Sequence, residues 1–511
     1  MTQKPADKIK AVADLARTVE SLKKKGKRVA HCHGVFDLLH PGHLKHFEAA
    51  KRLADVLVVT VTKDEHVNRG PGRPIFTHGL RAESIAALAC VDYVAVNEWP
   101  TAVETIKQLK PDLYVKGKEY AAREEDVTGK IYDEETAIKA VGGKLVFTDE
   151  ATFSSTALIN KVLAPYSQEA RSFLQDLKKR YSAETITGHV QKIKNVKVLV
   201  IGDIIVDEYH YCFGMGKTAK DNIIAMRFVR DEQFAGGVLA AANHVAGFCD
   251  QVTVLSCLGT GPDFKGFISE RLKPNVKTQI YSRKDAPTVI KRRFVDESFL
   301  TKLFEICYLD NLAQLPVSVE NKVCEYLERN AKNFDMVLVT DFGHGFLTPK
   351  IVDKICETAP YLALNVQTNS SNIGFNLVSK FPRADYICID EPELRLACHD
   401  QTANIEQLVK QIAQRMKCQR AVITRGHRGS LAYSKKEGFF QVPVFSKEVV
   451  DRIGAGDAFF SITSPCVFQK TPMEIVGVIG NAVGALKVLI VGNRSSVEPG
   501  PLLKYIGTLL K

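Results

Sequence analysis

The residues richest in chemistry run from His31 to His46, HCHGVFDLLHPGHLKH, where a glycine, an acid and several spaced imidazoles lie between a strand-like segment and a helix. Pro41 suits the first turn of that helix, where a missing N–H costs nothing. His40 and His43 then fall at the helix N-terminus, whose free N–H groups and dipole attract anions. Two imidazoles three residues apart can both face a bound triphosphate. The chemistry that fits is nucleotidyl transfer, in which a sugar phosphate oxygen attacks an α-phosphorus and protein donors stabilise the charge building on the departing pyrophosphate. On spacing alone, a metal patch or a set of solvated polar positions remains open.

A second reactive stretch is Asp451 to Phe459, DRIGAGDAF. Gly454 and Gly456 flank Ala455 just before a helix, so the backbone can turn tightly and offer N–H groups to a γ-phosphate. Asp457, in the first turn, is placed to accept the proton of an attacking sugar hydroxyl. A glycine-rich turn with an Asp cap is the alternative that these residues alone leave open.

The elements that must position these groups alternate. From Val29 to about Val162 strand-like runs (VLVVTVT, DYVAV, DLYVKG, KLVFT) alternate with helical ones, and Leu44, Phe47, Ala50, Leu53 and Ala54 give the helix after Pro41 an apolar face. Alternation of this kind predicts a parallel, doubly wound sheet with ligands at the carboxyl ends of its strands. NRGPGRP, residues 68–74, reads as a loop framing the site. Residues 166–195 are polar and helical and read as a connector. VKVLVIGDIIVDEY then opens a second α/β unit, continued by QVTVLSCLG, FDMVLVTDFG, YLALNV, DYICID and RAVITRG. The expected division is 1–165, a connector at 166–195, and 196–511.

Composition sets outer limits. A chain of 511 residues exceeds what one core usually serves, and 45% hydrophobic with 25% charged residues is ordinary for a globular protein. No apolar run reaches the ~20 residues of a membrane span, and the N-terminal stretch lacks an apolar signal core, so a soluble, cytoplasmic protein without membrane contact is expected. The 12 cysteines are scattered with no CxxC pair, as in a reducing compartment. The net charge of +11 is modest and spread out, apart from LKKKGKR and KRR, so anionic small substrates account for it and no nucleic acid is expected.

GVFDLLHPGHLKHFEAAK resembles the GxFDxxHxGH signature of cytidylyltransferase-like nucleotidyltransferases, matched at Gly34, Phe36, Asp37, His40, Gly42 and His43. RPIFTHGLRAESIAAL, LYVKGKEY and FSSTALI resemble that family's later segments. The resemblance implies that His40 and His43 are catalytic, that Gly34, Phe36, Arg81, Lys116, Ser154, Ser155 and Thr156 bind nucleotide, and that Asp37 faces substrate. GAGDAF resembles the signature of ribokinase-like carbohydrate kinases. VLVIGDIIVDEY, FAGGVLAAANHVAGF, VTDFGHGFL and VITRGHRGS resemble their substrate-side and ATP-side segments. This implies Asp457 as base, Thr424, Gly426, Gly429, Gly454 and Gly456 toward ATP, and Asp203, Asp207, Gly236, Gly237 and Asn243 toward sugar.

Together the halves resemble bifunctional heptose kinase/nucleotidyltransferases of bacterial surface-sugar synthesis, with the transferase here placed first instead of second. The resemblance implies phosphorylation of a sugar or sugar phosphate by ATP, nucleotidyl transfer from ATP or CTP to a sugar phosphate, and a homodimer whose lid is supplied by Tyr209 to Phe234. Three positions depart from it. Asn365-Val366-Gln367 replaces an Asp-Pro-Lys-like strand end, Arg452 replaces a Thr, and the NxxE motif for magnesium reads Asp390-Glu391-Pro392-Glu393, leaving Asp390 and Glu393 as the candidate metal residues. The substituted strand end opens a second expectation: a transferase whose kinase-like half is an inactive binding or dimerisation module.

Overall fold

The structure is a computed structural model, and it describes residues 4–118, 130–148, 166–310 and 313–511. The chain forms two compact units, Met1–Tyr166 with Leu503–Leu509, and Ser167–Leu502. Among the described residues no helix is long and apolar enough to cross a membrane.

The first unit is built on β1 (Val29–Gly34), β2 (Val56–Thr62), β3 (Tyr93–Asn97), β4 (Leu113–Gly117) and β5 (Lys144–Thr148), in the order β3-β2-β1-β4-β5. All pairs are parallel. Every residue of β2 is buried, as a strand covered on both faces requires, which is why VLVVTVT reads as an unbroken apolar run. The order reverses at β1 and β4, so the crevice for ligand opens where β1 meets the helix Pro41–Arg52. That helix buries Phe47 and Ala50, whereas Leu44 and Leu53 are each 39% exposed; its inner stripe is narrower than the apolar spacing predicts.

The second unit contains β6 (Lys197–Gly202), β7 (Ile204–Lys217), β8 (Ile224–Gly237), β9 (Gln251–Thr260), β10 (Val276–Pro287), β11 (Val289–Asp296), β12 (Lys302–Tyr308), β13 (Met336–Asp341), β14 (Leu362–Val366), β15 (Tyr386–Asp390), β16 (Arg420–Thr424), β17 (Ser430–Ser434) and β18 (Gly438–Val442). Its main sheet has the order β10-β9-β6-β13-β14-β15-β16-β17-β18, parallel as far as β16 and antiparallel across the last two strands. The register sets Asp341 beside Val366 and Asp390 beside Thr424, so these strands finish in a row along one edge. A separate sheet, β12-β11-β7-β8, carries the long strands that follow Asp203. The stretch 166–195 forms helices Gln168–Arg180 and Ala183–Gln191, each capped by a serine (Ser167, Ser182), and their buried Leu174, Leu177, Ile186 and Val190 group with this second unit.

Candidate active sites

In the first unit His40 is the N-cap of the helix Pro41–Arg52, with the proline in the first turn. Its ring stacks on His43, with centroids 3.8 Å apart and planes 18° from parallel. Phe36 sets this pair. It adopts φ +50°, an uncommon left-handed backbone for a bulky residue, and its ring meets His43 edge-on at 5.2 Å and Phe47 at 5.0 Å. A Cβ on Gly34 would come within 2.8 Å of the Phe36 ring, so Gly34 makes room for the wedge. Burial pushes the His43 imidazole down to about 3, with help from His40 and His46, and lowers His40 as well. Both rings are therefore neutral at neutral pH, and an arriving polyphosphate would favour their protonated forms.

Asp37 and Arg81 hold the frame around that pair. The buried Asp37 carboxylate accepts from the Ile75 N–H at 2.6 Å and from Arg73 at 3.3 Å, tying the 68–76 loop over the end of β1. Arg81, 2% exposed, donates to the Phe76 carbonyl at 2.8 Å, the Thr62 carbonyl at 2.8 Å and the Val35 carbonyl, and pairs with Asp64. Its guanidinium thus binds three backbone segments together. Lys116, at the end of β4, is buried with Nζ 3.2 Å from Glu134 and 3.4 Å from the His33 carbonyl. Glu134 also accepts from the Tyr114 hydroxyl at 3.0 Å. Ser154, Ser155 and Thr156 lie outside the described residues.

In the second unit Gly454 is the N-cap of the helix Ala455–Phe468, with φ +75°. A Cβ there would meet Asn493 Oδ1 at 2.5 Å and Lys487 Nζ at 3.4 Å, whereas one on Gly456 would meet nothing within 4 Å. The turn is therefore tight underneath and open above Gly456. Asp457 is buried and accepts from the Gln367 amide. Burial raises its carboxyl to about 6; Gln367, Lys487 and Lys291 pull against that rise and Asp207 adds to it. Asp207 accepts from Arg293 and, at 3.3 Å, from Asn493, and its Oδ2 lies 2.2 Å from where a Gly236 Cβ would be. Asp207, Gly236, Gly454 and Asp457 thus share one site.

Other expected residues lie around it. Asp203 spends its carboxylate on the N–H groups of Phe342, His344 and Phe346, at 3.2 to 3.4 Å, shaping the loop after β13. Gly237 (φ +56°) lets the chain pass the Asp203 carbonyl, 2.4 Å from its Cβ position, into the helix Val238–Ala246. Asn243 bonds the Arg271 carbonyl and the Lys273 N–H, and lines a cavity of about 220 Å³ with Ala235, Lys273 and Asn493. Thr424 ends β16. Gly426 (φ +56°) and Gly429 (φ +81°) close the turn behind it, and Glu391 cross-links that turn by accepting from Arg425 at 3.0 Å and Arg428 at 2.7 Å.

Asp390 and Glu393 form a capping box: each carboxylate accepts the other's backbone N–H at 2.8 Å. Burial and the neighbouring Asp390 raise the Glu393 carboxyl well above the usual carboxylate range. Among the described residues no group of three or more His, Cys, Asp or Glu side chains converges as a metal cage. Among the described residues no Lys, Arg or His pairs with either carboxyl, and two adjacent carboxyls fit the partial, water-mediated holding that suits magnesium on nucleotide phosphates.

Sequence reasoning missed several partners. Gln367, noted only as a departure, donates to Asp457. Arg452, which stands in place of a Thr just before the phosphate turn, has an exposed side chain, while Lys487 is fully buried under Gly454. The available signal was a single lysine in the apolar run Val476–Gly492.

Both units are thus α/β folds built on largely parallel main sheets with a helix N-terminus at the strand ends, an arrangement suited to nucleotides and phosphorylated substrates. The pfkB family carbohydrate kinase profile matches residues 195–499, and the chain belongs to that family. The cytidylyltransferase-like profile matches residues 31–161. Among curated proteins the chain is 37% identical over 164 residues to the bifunctional protein HldE of Syntrophotalea carbinolica and 38% identical over 167 residues to that of Geobacter metallireducens, in each case over 32% of either chain. The match spans about a third of the length of those relatives. Phosphofructokinase-2 from Escherichia coli, solved in complex with substrates and products, superposes with a TM-score of 0.50 over 62% of this chain and 100% of its own at 14% identity, a likeness of fold.

Proposed function

We propose that the chain is a bifunctional enzyme of nucleotide-sugar synthesis. It phosphorylates a heptose-like sugar or sugar phosphate with ATP, and transfers a nucleotidyl group from ATP or CTP to a sugar phosphate with release of pyrophosphate. The division into work units is 1–165 for transfer and 196–511 for phosphorylation, with 166–195 as connector. The observation that carries this reading is the buried Asp457 beneath an open GAGD turn in one unit, alongside a stacked imidazole pair at a helix N-terminus in the other.

In the transferase half the substrate phosphate is already an anion, so positioning and charge stabilisation dominate. Its oxygen bonds to the α-phosphorus as the bond to pyrophosphate breaks. His40 and His43 donate to the phosphoryl oxygens, Lys116 reaches the phosphates, and Asp37 and Arg81 keep the 68–76 loop over the site. In the kinase half a sugar hydroxyl attacks the γ-phosphorus, Asp457 takes its proton, and ADP leaves. Asp207 orients the sugar, and the Thr424–Gly429 turn flanks the nucleotide. Magnesium, which neutralises phosphate charge in such reactions, would be held by Asp390 and Glu393. A carboxyl raised to about 6 is poised as a base at neutral pH, which favours a working kinase over an inert module.

The lid sheet supports a homodimer. Phe213, Met215, Phe228, Phe304, Ile306 and Tyr308 are 40 to 62% exposed there, and Phe294 stacks on Phe304 at 4.5 Å on the same sheet. A second copy of the chain would cover such a patch.

The test is mass spectrometry of products from a panel of sugars and sugar phosphates with magnesium and ATP or CTP, using intact protein, His43→Ala and Asp457→Asn. Each variant should lose one product and keep the other. Loss of neither product, or no product from any substrate, overturns the reading.

A further inference from the structure

Lys487 is the last residue of the helix Met473–Lys487 and is 0% exposed. Its ammonium donates to two main-chain carbonyls, Ile453 and Gly492, each at 2.7 Å. Asp451 takes the N–H groups of the same two residues, Ile453 at 3.0 Å and Gly492 at 2.8 Å. The two residues are therefore gripped on both sides, carbonyls by the cation and N–H groups by the anion. Asp451 is in turn held by the Tyr209 hydroxyl at 2.7 Å and by Lys302.

This arrangement acts directly on the phosphate turn. A peptide unit is planar and trans, so its C=O and N–H point in opposite directions. Pinning the Ile453 carbonyl to Lys487 therefore aims the Gly454 N–H away from Lys487. The Nζ also lies 3.4 Å from the position of a Gly454 Cβ, directly under the N-cap of the GAGD helix. Burial, aided by Lys302, lowers its ammonium from the usual lysine range to about 8, while Asp451, Asp457 and Asp207 favour the cationic form. An apolar residue in its place would leave two buried carbonyls without donors.

We infer that Lys487 is a built-in monovalent cation of the kinase site, a positioning residue whose ammonium does internally what a free ion of similar size, coordinated by the same carbonyls, would otherwise do for the GAGD turn. Ammonium and potassium are close in radius and both take carbonyl oxygens. The kinase half should then need no added monovalent salt. This rests on the kinase reading above, and ATP binding measured by calorimetry keeps the two separable.

Intact protein, Lys487→Met and Lys487→Ala are compared in choline, lithium, potassium and ammonium chloride at equal ionic strength. Intact protein should bind ATP and turn over within about twofold in all four salts. Lys487→Met, which fills the space without charge, should lose about tenfold or more in kcat/KM for ATP in every salt. Lys487→Ala should show the same loss in choline and lithium and recover most of it in potassium or ammonium, a salt-specific rescue that a merely structural lysine would not produce. Potassium-dependent ATP binding or turnover by the intact protein overturns the inference, and so does a cooperatively melting Lys487→Ala that no salt rescues. Should both variants fail to fold, the salt response of the intact protein decides. Absence of turnover with salt-independent ATP binding overturns the kinase reading and leaves the inference supported.

Discussion

His43 owes its place to a wedge. Phe36 strains into a left-handed backbone so that its ring can brace the imidazole, and Gly34 clears the space above it. Removing one stabilising donor typically costs about a hundredfold or more in rate. His43→Ala should therefore nearly abolish pyrophosphate release while ADP formation by the kinase half stays unchanged, which a coupled pyrophosphate assay beside an ADP assay will read. At Asp457 the sign of the pH dependence follows from burial. A carboxyl raised to about 6 is protonated, and useless as a base, once the pH falls through that value, so kinase kcat/KM should decline below about pH 6. Gln367→Lys puts a cation against the carboxylate and favours its charged form, so the acid limb should move down by about one pH unit or more. A pH–rate profile of that variant with an unmoved limb would remove Asp457 as the titrating base.

At the scale of elements, loops are held by buried charges spent on backbone. Arg81 ties Val35 just after β1, Thr62 at the end of β2 and Phe76 before the helix His78–Ala86. Arg81→Ala leaves those three carbonyls without the guanidinium as donor, at about 1–3 kcal/mol for each one buried from water, while Asp64 keeps the His78 imidazole at 2.8 Å. The expected outcome is a lowered Tm together with a raised KM for nucleotide in the transferase assay; an unchanged Tm would show the loop to be held otherwise. The lid strand β8 meets a tighter limit. A side chain on Gly236 would collide with Asp207 Oδ2, so Gly236→Ala should displace that carboxylate and cut kinase kcat/KM by about tenfold or more, with transferase activity intact.

At the scale of the whole molecule, the exposed aromatic and aliphatic side chains of β7, β8 and β12 predict self-association. Light scattering at micromolar concentration should give twice the 56.6 kDa chain mass, and Phe304→Asp with Ile306→Asp should return the monomer. A monomer from the intact protein sinks the dimer.

The sequence by itself determined the two α/β units, the apolar strands of their main sheets and the loops that carry chemistry, because a strand buried on both faces must be continuously apolar and a phosphate turn must be glycine-rich before a helix. VLVVTVT, YLALNV and GAGD were legible for that reason. The lid strands were less so: β7 and β8 run 14 residues each, β8 is mostly exposed or half-buried and needs no clean apolar period, and β7 buries polar Asp207 and Glu208 among its apolar residues and exposes its last five. Only the tertiary structure decided which charges face the reaction and which hold the frame. Asp37, Asp203 and Arg81 look like site residues from their motifs, yet folding directs them onto backbone N–H groups and carbonyls from segments up to 143 positions away. Gln367 reads in sequence only as a departure at a strand end and Lys487 as incidental, and folding sets one against Asp457 and the other beneath Gly454. Such pairings depend on distances between strand ends that no spacing along the chain encodes, since a buried charge must find its partner wherever the fold brings one.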